Sequence, residues 1–214
     1  MIDGVSKPVH CIFYTHPWAL FRIGNERLGS SDDALLIELA ESSTLSSLFD
    51  QQGRPRQGVT GLLADPDRID LLGEVYEGVP APLVLASQPA VPLPTLASAI
   101  GVLPYVRSRY SHYVLLANLV DGARMIDSLA HCDRFSFVFD LADPPSRRFT
   151  DLAEQLTGEG LLNASTWGGL YWYSHPRRRA PGHRERLQAL RELTAGTQIM
   201  LEAPAGTEPE DAHP

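Results

Sequence analysis

Residues 112–141 read HYVLLANLVDGARMIDSLAHCDRFSFVFDL, and the assembly of the chain hinges on the middle of that stretch. The first part, 112–120, is an almost unbroken apolar run of strand length and predicts a buried β-strand. At the far end, 134–141 places Phe135, Phe137 and Phe139 on one face of a second strand. Between them, Asp121-Gly122 has the composition of a type I′ hairpin turn, while ARMIDSLAH has the composition of a helix. Helix is slightly the better supported of the two.

Outward from there, VHCIFYTHPWALFRI (9–23) is β-branched and aromatic but interrupted at Pro17, which predicts two short strands or one kinked edge strand. Ser30 or Ser31 can cap a helix over 31–50, with Asp32 and Asp33 in its first turn and Leu35, Leu36, Leu39, Leu45, Leu48 and Phe49 along its apolar face. GVTGLLA (58–64) and IDLLGEVYE (69–77) flank the turn-rich ADPDR and predict a hairpin. A strand at 83–87 follows, then a helix over PLPTLASAIGVL (92–103), opened by prolines and closed by Pro104. A helix at 146–157, a strand at 168–174, a helix at 183–194 and a strand at 197–202 complete a single domain over 1–203, ahead of a disordered tail at 204–214. Clustered strands with irregularly interspersed helices predict an α+β fold, with a mixed or mainly antiparallel sheet and about four helices.

Composition excludes more chemistry than any motif asserts. The formal charge of −8 disfavours nucleic acid as a partner, because neutralising phosphates requires a basic footprint. No apolar run approaches the length of a membrane span, and the first residues, MIDGVSKPVH, lack the layout of a signal peptide, so a cytoplasmic protein with no membrane partner is expected. Cys11 and Cys132 are too few and too far apart in sequence to suggest a disulfide framework or a CxxC metal site. Lys7 is the single lysine among 18 basic residues, which leaves 17 arginines and makes a Schiff-base mechanism a poor fit. A Walker loop, the GxGxxG turn, HExxH, GxSxG and the EF-hand loop are all absent, so neither a cofactor nor a metal is expected.

What remains is a set of dispersed candidates. In LLGEVYEG (71–78), a strand over 69–77 would put Glu77 on one face and Glu74 on the other, each among apolar neighbours that raise a carboxyl pKa toward general acid–base use. His16 and His175 precede prolines in YTHP and YSHP, and with His112 they stand at strand ends, where a neutral imidazole can move a proton or contact a substrate. In YWYSHPRRR (171–179), Trp172 and Tyr173 offer stacking faces, and Arg177, Arg178 and Arg179 offer forks for a carboxylate or phosphate. These features fit a small aromatic or anionic substrate, and a homodimer is compatible with them. The plainer alternatives are a solvated charged loop and histidines satisfied by backbone.

A lysine-poor chain with a strand glutamate in LLGEVYEG and an aromatic, basic patch in YWYSHPRRR resembles the small bacterial Pictet–Spengler cyclases of alkaloid biosynthesis. That resemblance implies a cofactor-free enzyme of specialised metabolism that condenses a tryptophan-like amine with a carbonyl compound. Glu77 would be its acid/base, and Arg177 and Arg178 would hold the substrate carboxylate. GEVYEG is also similar to a strand of γ-glutamyl cyclotransferase-like proteins, although their N-terminal YGxL turn is missing. The competing class is a non-catalytic small-anion binding or protein-interaction module.

Overall fold

In the computed structural model, which describes residues 6–15, 33–40, 45, 58–76, 79, 81–86, 92–140 and 147–173, the decisive middle of 112–141 is helical. Strand β1 spans Val9–Tyr14 and β2 spans Ala34–Leu39. Helix α1 (Gly58–Ala64) leads through a 3-10 turn at Pro66–Leu71 to the short β3, Leu83–Val84. Helix α2 (Leu93–Val102) precedes β4, His112–Asn118, which runs straight into α3, Leu119–Arg124. A further 3-10 turn at Ile126–His131 delivers the chain to β5 (Arg134–Asp140), followed by α4 (Arg147–Gly158) and β6 (Trp167–Tyr173).

The six strands form one sheet in the order β3-β2-β4-β1-β5-β6, and every pairing between them is parallel. This overturns the expected α+β fold with a mixed or mainly antiparallel sheet. The physical reason is in the strands themselves: VHCIFY, ALLIEL and HYVLLAN are near-continuous apolar runs, as strands buried on both faces must be. On one face Cys11, Phe13, Ile37, Leu115 and Phe137 meet Val59 and Leu62 of α1, Leu96 and Ile100 of α2 and Leu152 of α4. On the other, Ile12, Tyr14, Leu36, Val114, Leu116 and Val138 form a second core with Leu45, Leu83 and Leu85.

Three local expectations fall with the sheet. The helix expected over 31–50 contains β2 instead, because Leu35, Leu36 and Leu39 suit a doubly buried strand as well as a helical face. The hairpin expected from 58–64 and 69–77 is absent: the first segment is α1, and the second begins as a 3-10 turn opened by Pro66. Asp121-Gly122 makes no hairpin turn either, because Asn118 caps α3, its side chain accepting from the backbone N–H groups of Val120 and Asp121. The strands at 112–118, 134–140 and 167–173 and the helices near 93–102 and 147–158 lie where the sequence placed them. The segments expected at 183–194, 197–202 and 204–214 lie outside the described residues.

Aromatic contacts fix α4 on the sheet. Phe149 stands edge-on to Phe137 at 5.0 Å and to Phe139 at 4.9 Å, so the alternation read in RFSFVFDL is the docking surface for this helix. At the outer strand the β5–β6 register shifts between Phe135 and Ser136, and Gly169 adopts φ +128°, a conformation that disfavours any side chain. Gly122 serves a different purpose. It is helical, and a Cβ there would strike the Phe13 ring, with Cδ1 at 2.7 Å, so α3 can lie against β1 only with glycine at this point. Gly122→Ala is expected to destabilise the fold by about 1–3 kcal/mol through this overpacking, read as a lowered urea midpoint at unchanged slope.

Candidate functional site at the carboxyl edge of the sheet

In an open parallel α/β sheet the ligand crevice lies outside the carboxyl ends of the strands, where connections from neighbouring strands depart in opposite directions. Here β1 and β4 are neighbours; the chain leaves β1 toward β2, on the β3 side, and leaves β4 toward β5, on the β6 side. That rule marks the ground beyond Tyr14 and Asn118, which are paired in register, and also the neighbouring β1–β5 junction, since β5 leaves toward β6.

Its walls are tightly held. The Thr15 backbone N–H donates to the Val138 carbonyl at 3.1 Å, continuing the β1–β5 ladder past the end of the strand. Asn118 Oδ1 accepts from Val120 N at 3.0 Å and Asp121 N at 2.9 Å, while its Nδ2 donates to Asp121 Oδ2 at 2.8 Å. Asp121 is buried, and Val120 beside it is exposed. One strand further out, Glu38 ends the apolar run of β2 and is fully buried. Its Oε1 accepts from Leu45 N and its Oε2 from Ala86 N, both at 2.9 Å, so the carboxylate joins three segments of chain.

The opposite, amino edge of the sheet carries a separate polar group. His10 Nε2 lies 2.9 Å from Ser136 Oγ, and burial, reinforced by the positive charge of Arg134 and by His112, lowers the His10 pKa to about 4. Lys7 is fastened here too: Nζ donates to the Ser108 carbonyl at 2.7 Å and to Ser108 Oγ at 2.8 Å, and lies 5.6 Å from the centre of the Tyr113 ring. Burial lowers the Lys7 pKa, against an opposing pull from Asp70. The single lysine of the chain is thus committed to the end of the sheet away from the crevice.

The residues expected to form a site do not assemble. Glu74 is exposed, makes an isolated antiparallel bridge to Leu83 and accepts the Tyr76 hydroxyl at 2.7 Å. His112 begins β4 at the amino edge, its Nδ1 3.0 Å from Ser111 Oγ. Trp172 and Tyr173 close β6, at the other margin of the sheet from the β3 strand that Glu74 bridges. Five strand spacings of about 4.8 Å, roughly 24 Å, separate those margins. Glu77, His16, His175, Arg177, Arg178 and Arg179 lie outside the described residues. The polar side chains that hold the carboxyl edge, Glu38 on β2 and the Asn118–Asp121 pair after β4, were missed, although each is a polar residue at the end of an apolar run, in ALLIEL and in VLLANLVD.

No family model matches this chain, and no curated protein does. Solved structures match it along most of its length. An ATP complex of a Cyanothece McdA variant aligns over 94% of this chain and 83% of that one, at 13% identity and a TM-score of 0.57. The MinC:MinD cell division protein complex of Aquifex aeolicus aligns over 91% and 79%, at 13% identity and 0.58. A Borrelia burgdorferi protein assigned to plasmid partition and bound to AMPPNP aligns over 92% and 86%, at 14% identity and 0.55. The likeness is one of fold. It is the parallel α/β fold that these three structures share.

Several expectations are corrected by it. The resemblance to Pictet–Spengler cyclases does not hold, and the aromatic condensation and the specialised-metabolism role go with it, since the neighbours are McdA, MinD and partition proteins. The γ-glutamyl cyclotransferase reading and the non-catalytic anion or interaction module likewise find no support among them. A small aromatic substrate, and the exclusion of nucleic acid by net charge, are withdrawn as well, because the fold is one solved with ATP, with AMPPNP and with a protein partner. Net charge averages over a surface and says nothing of one crevice. Among the described residues, no helix is long and apolar enough to cross a membrane.

A magnesium ion held by protein carboxylates does not fit the described residues. Both Glu38 oxygens accept backbone N–H groups, Asp121 Oδ2 takes the Asn118 amide, and no cluster of three ligating side chains occurs among these residues.

Two measurements probe the two edges. Glu38→Ala leaves the Leu45 and Ala86 N–H groups without their acceptor and is expected to cost about 2–4 kcal/mol in denaturant unfolding. For His10 the folded-state pKa lies below the unfolded value, so the unfolded chain binds the extra proton between the two. Stability is therefore full above about pH 6.5 and declines as pH falls toward 4, by up to about 3 kcal/mol. His10→Gln should flatten that slope in thermal melts from pH 7 to pH 4.

Proposed function

We propose that this chain binds a nucleoside triphosphate in the crevice between the carboxyl ends of β1 and β4, with arginine in the place that lysine takes in a Walker loop, and turns it over slowly. The observation that carries the reading is the topology: an all-parallel sheet whose switch point falls between β1 and β4, with Asn118 and Asp121 fixed at its lip. The likeness to structures solved with ATP and AMPPNP supports the choice of ligand.

The charge pattern supports the finer part. A triphosphate needs cations at the end of β1, and the sequence after Thr15, HPWALFRIGNERLGSSDD, offers Arg22, Arg27, Gly24 and Gly29 but no lysine. Arginine binds phosphate oxygens bidentately and keeps its charge at every physiological pH. It holds ground-state phosphate well, whereas a compact ammonium can follow charge as it moves during transfer. Magnesium would arrive with the nucleotide, held by phosphate oxygens and water.

Calorimetric titration of the full chain with AMPPNP and with ATP plus magnesium tests this. Saturable binding at one site is expected, weakened about tenfold or more in Arg22→Ala or Arg27→Ala, with ATP hydrolysis that is slow and also lost in those variants. If millimolar AMPPNP and ATP produce no saturable signal, nucleotide binding is not the function of this crevice.

A further inference from the structure

We propose that the amino edge of the sheet holds a phosphate group between Arg134, His10 and His112, at the end opposite the crevice. The strands place these residues. Along β1, β4 and β5, alternation sends Ile12, Val114 and Val138 into one core, and nearer the amino edge the same face carries His10, His112, Ser136 and Arg134. His10 and Arg134 are direct partners in the β1–β5 register, and His112 stands two residues before Val114, the partner of His10 on β4. Contacts fix the corner independently of the register. His10 Nε2 lies 2.9 Å from Ser136 Oγ, and a Cβ added to Gly168 of β6 would strike that same Oγ and stand 3.0 Å from Arg134 Cγ. Imidazole, hydroxyl and the stem of the guanidinium therefore meet at one place.

The corner gathers cationic groups without a carboxylate among them. Asp133 and Asp33 precede Arg134 and Ala34 by one residue and fall on the opposite alternation, and Asp133 Oδ2 accepts Val9 N at 2.7 Å. From β6 the corner is faced by Gly168, Gly169 and Tyr171, whose hydroxyl donates to the Gly168 carbonyl at 2.9 Å. Lys7 is engaged on the other face, with Ser108 and the Tyr113 ring. Among the described residues, no ion pair involves Arg134. The crowding is felt at His10, where burial first, and then Arg134 and His112, lower the pKa to about 4. A dianion beside Arg134 opposes the last two causes and favours the imidazolium.

The corner is open to such a ligand, since Arg134 is exposed and His10 and His112 are half-buried. Arg134 brings a fork of N–H donors from β5, and the imidazoles bring theirs from β1 and β4. Donors arriving from three strands suit the tetrahedral oxygens of phosphate better than a planar carboxylate. Because the bound anion raises the His10 pKa, binding takes up a proton in mildly acid solution and tightens as pH falls. Nothing in this site depends on nucleotide binding at the crevice.

The test follows the histidine C2–H resonances of the full chain by NMR, with inorganic phosphate in one arm, glycerol phosphate in a second and sodium chloride at equal ionic strength as the reference. His10→Gln and His112→Gln identify the two resonances. A saturable shift of both is expected in millimolar phosphate, with the His10 pKa raised to about 5 or above in the bound state. Arg134→Gln, at an exposed position, is expected to keep the thermal midpoint and to weaken binding about tenfold or more. A response to inorganic phosphate alone assigns the site to the free ion, and a response to both arms assigns it to a phosphomonoester. No saturable shift in either arm, an equal shift in chloride, or unchanged affinity in Arg134→Gln would each overturn the proposal.

Discussion

Burial of β1 on both faces is the constraint from which the rest of the structure follows. Parallel neighbours on each side, β4 and β5, satisfy its backbone, and alternate side chains enter two different cores. A strand in that position cannot be followed by a hairpin, because a parallel neighbour is reached only through a crossover. The crossover from β4 to β5 must pass over β1, so α3 has to lie close against it. Gly122 beside Phe13 is the local consequence, and the Asn118 cap is what starts the helix early enough to make the passage.

The same constraint explains why polar groups concentrate at the two ends of the sheet. Between those ends, side chains on either face are removed from water, and the few polar ones there are paired. Ser136, wholly buried, meets His10, whose neutral imidazole is the form that burial and Arg134 both favour. At the carboxyl edge, Glu38 and Asn118 spend their oxygens on backbone N–H groups. These contacts fix the course of the chain as it leaves the strands.

The strands and helices near 93–102, 112–118, 134–140, 147–158 and 167–173 were legible because length and apolar pattern agreed with one another. The sheet was not, and the miss has one cause: a run such as ALLIEL is apolar at every position but one, so it carries neither period, and Leu35, Leu36 and Leu39 satisfy a helical spacing by accident. Taking VHCIFY, ALLIEL and HYVLLAN together as doubly buried strands would have required parallel pairing and, with it, a crevice at their carboxyl ends. The site was lost for a related reason. Titratable residues with suggestive neighbours, such as Glu74, stand out in the sequence, whereas the edge is held by Glu38 and Asn118, whose partners are invisible until their strands are placed side by side.

The placement of Lys7 sharpens what this fold retains. A central strand with its carboxyl end at a switch point is the frame on which a phosphate loop is mounted, and that frame is intact. The cation such a loop carries is not at that end: the one lysine bonds Ser108 at the amino edge, a sheet-length away. The groups that hold the carboxyl edge, Glu38 and Asn118, and the one lysine at the amino edge are thus fixed to opposite ends of the sheet by their own hydrogen bonds.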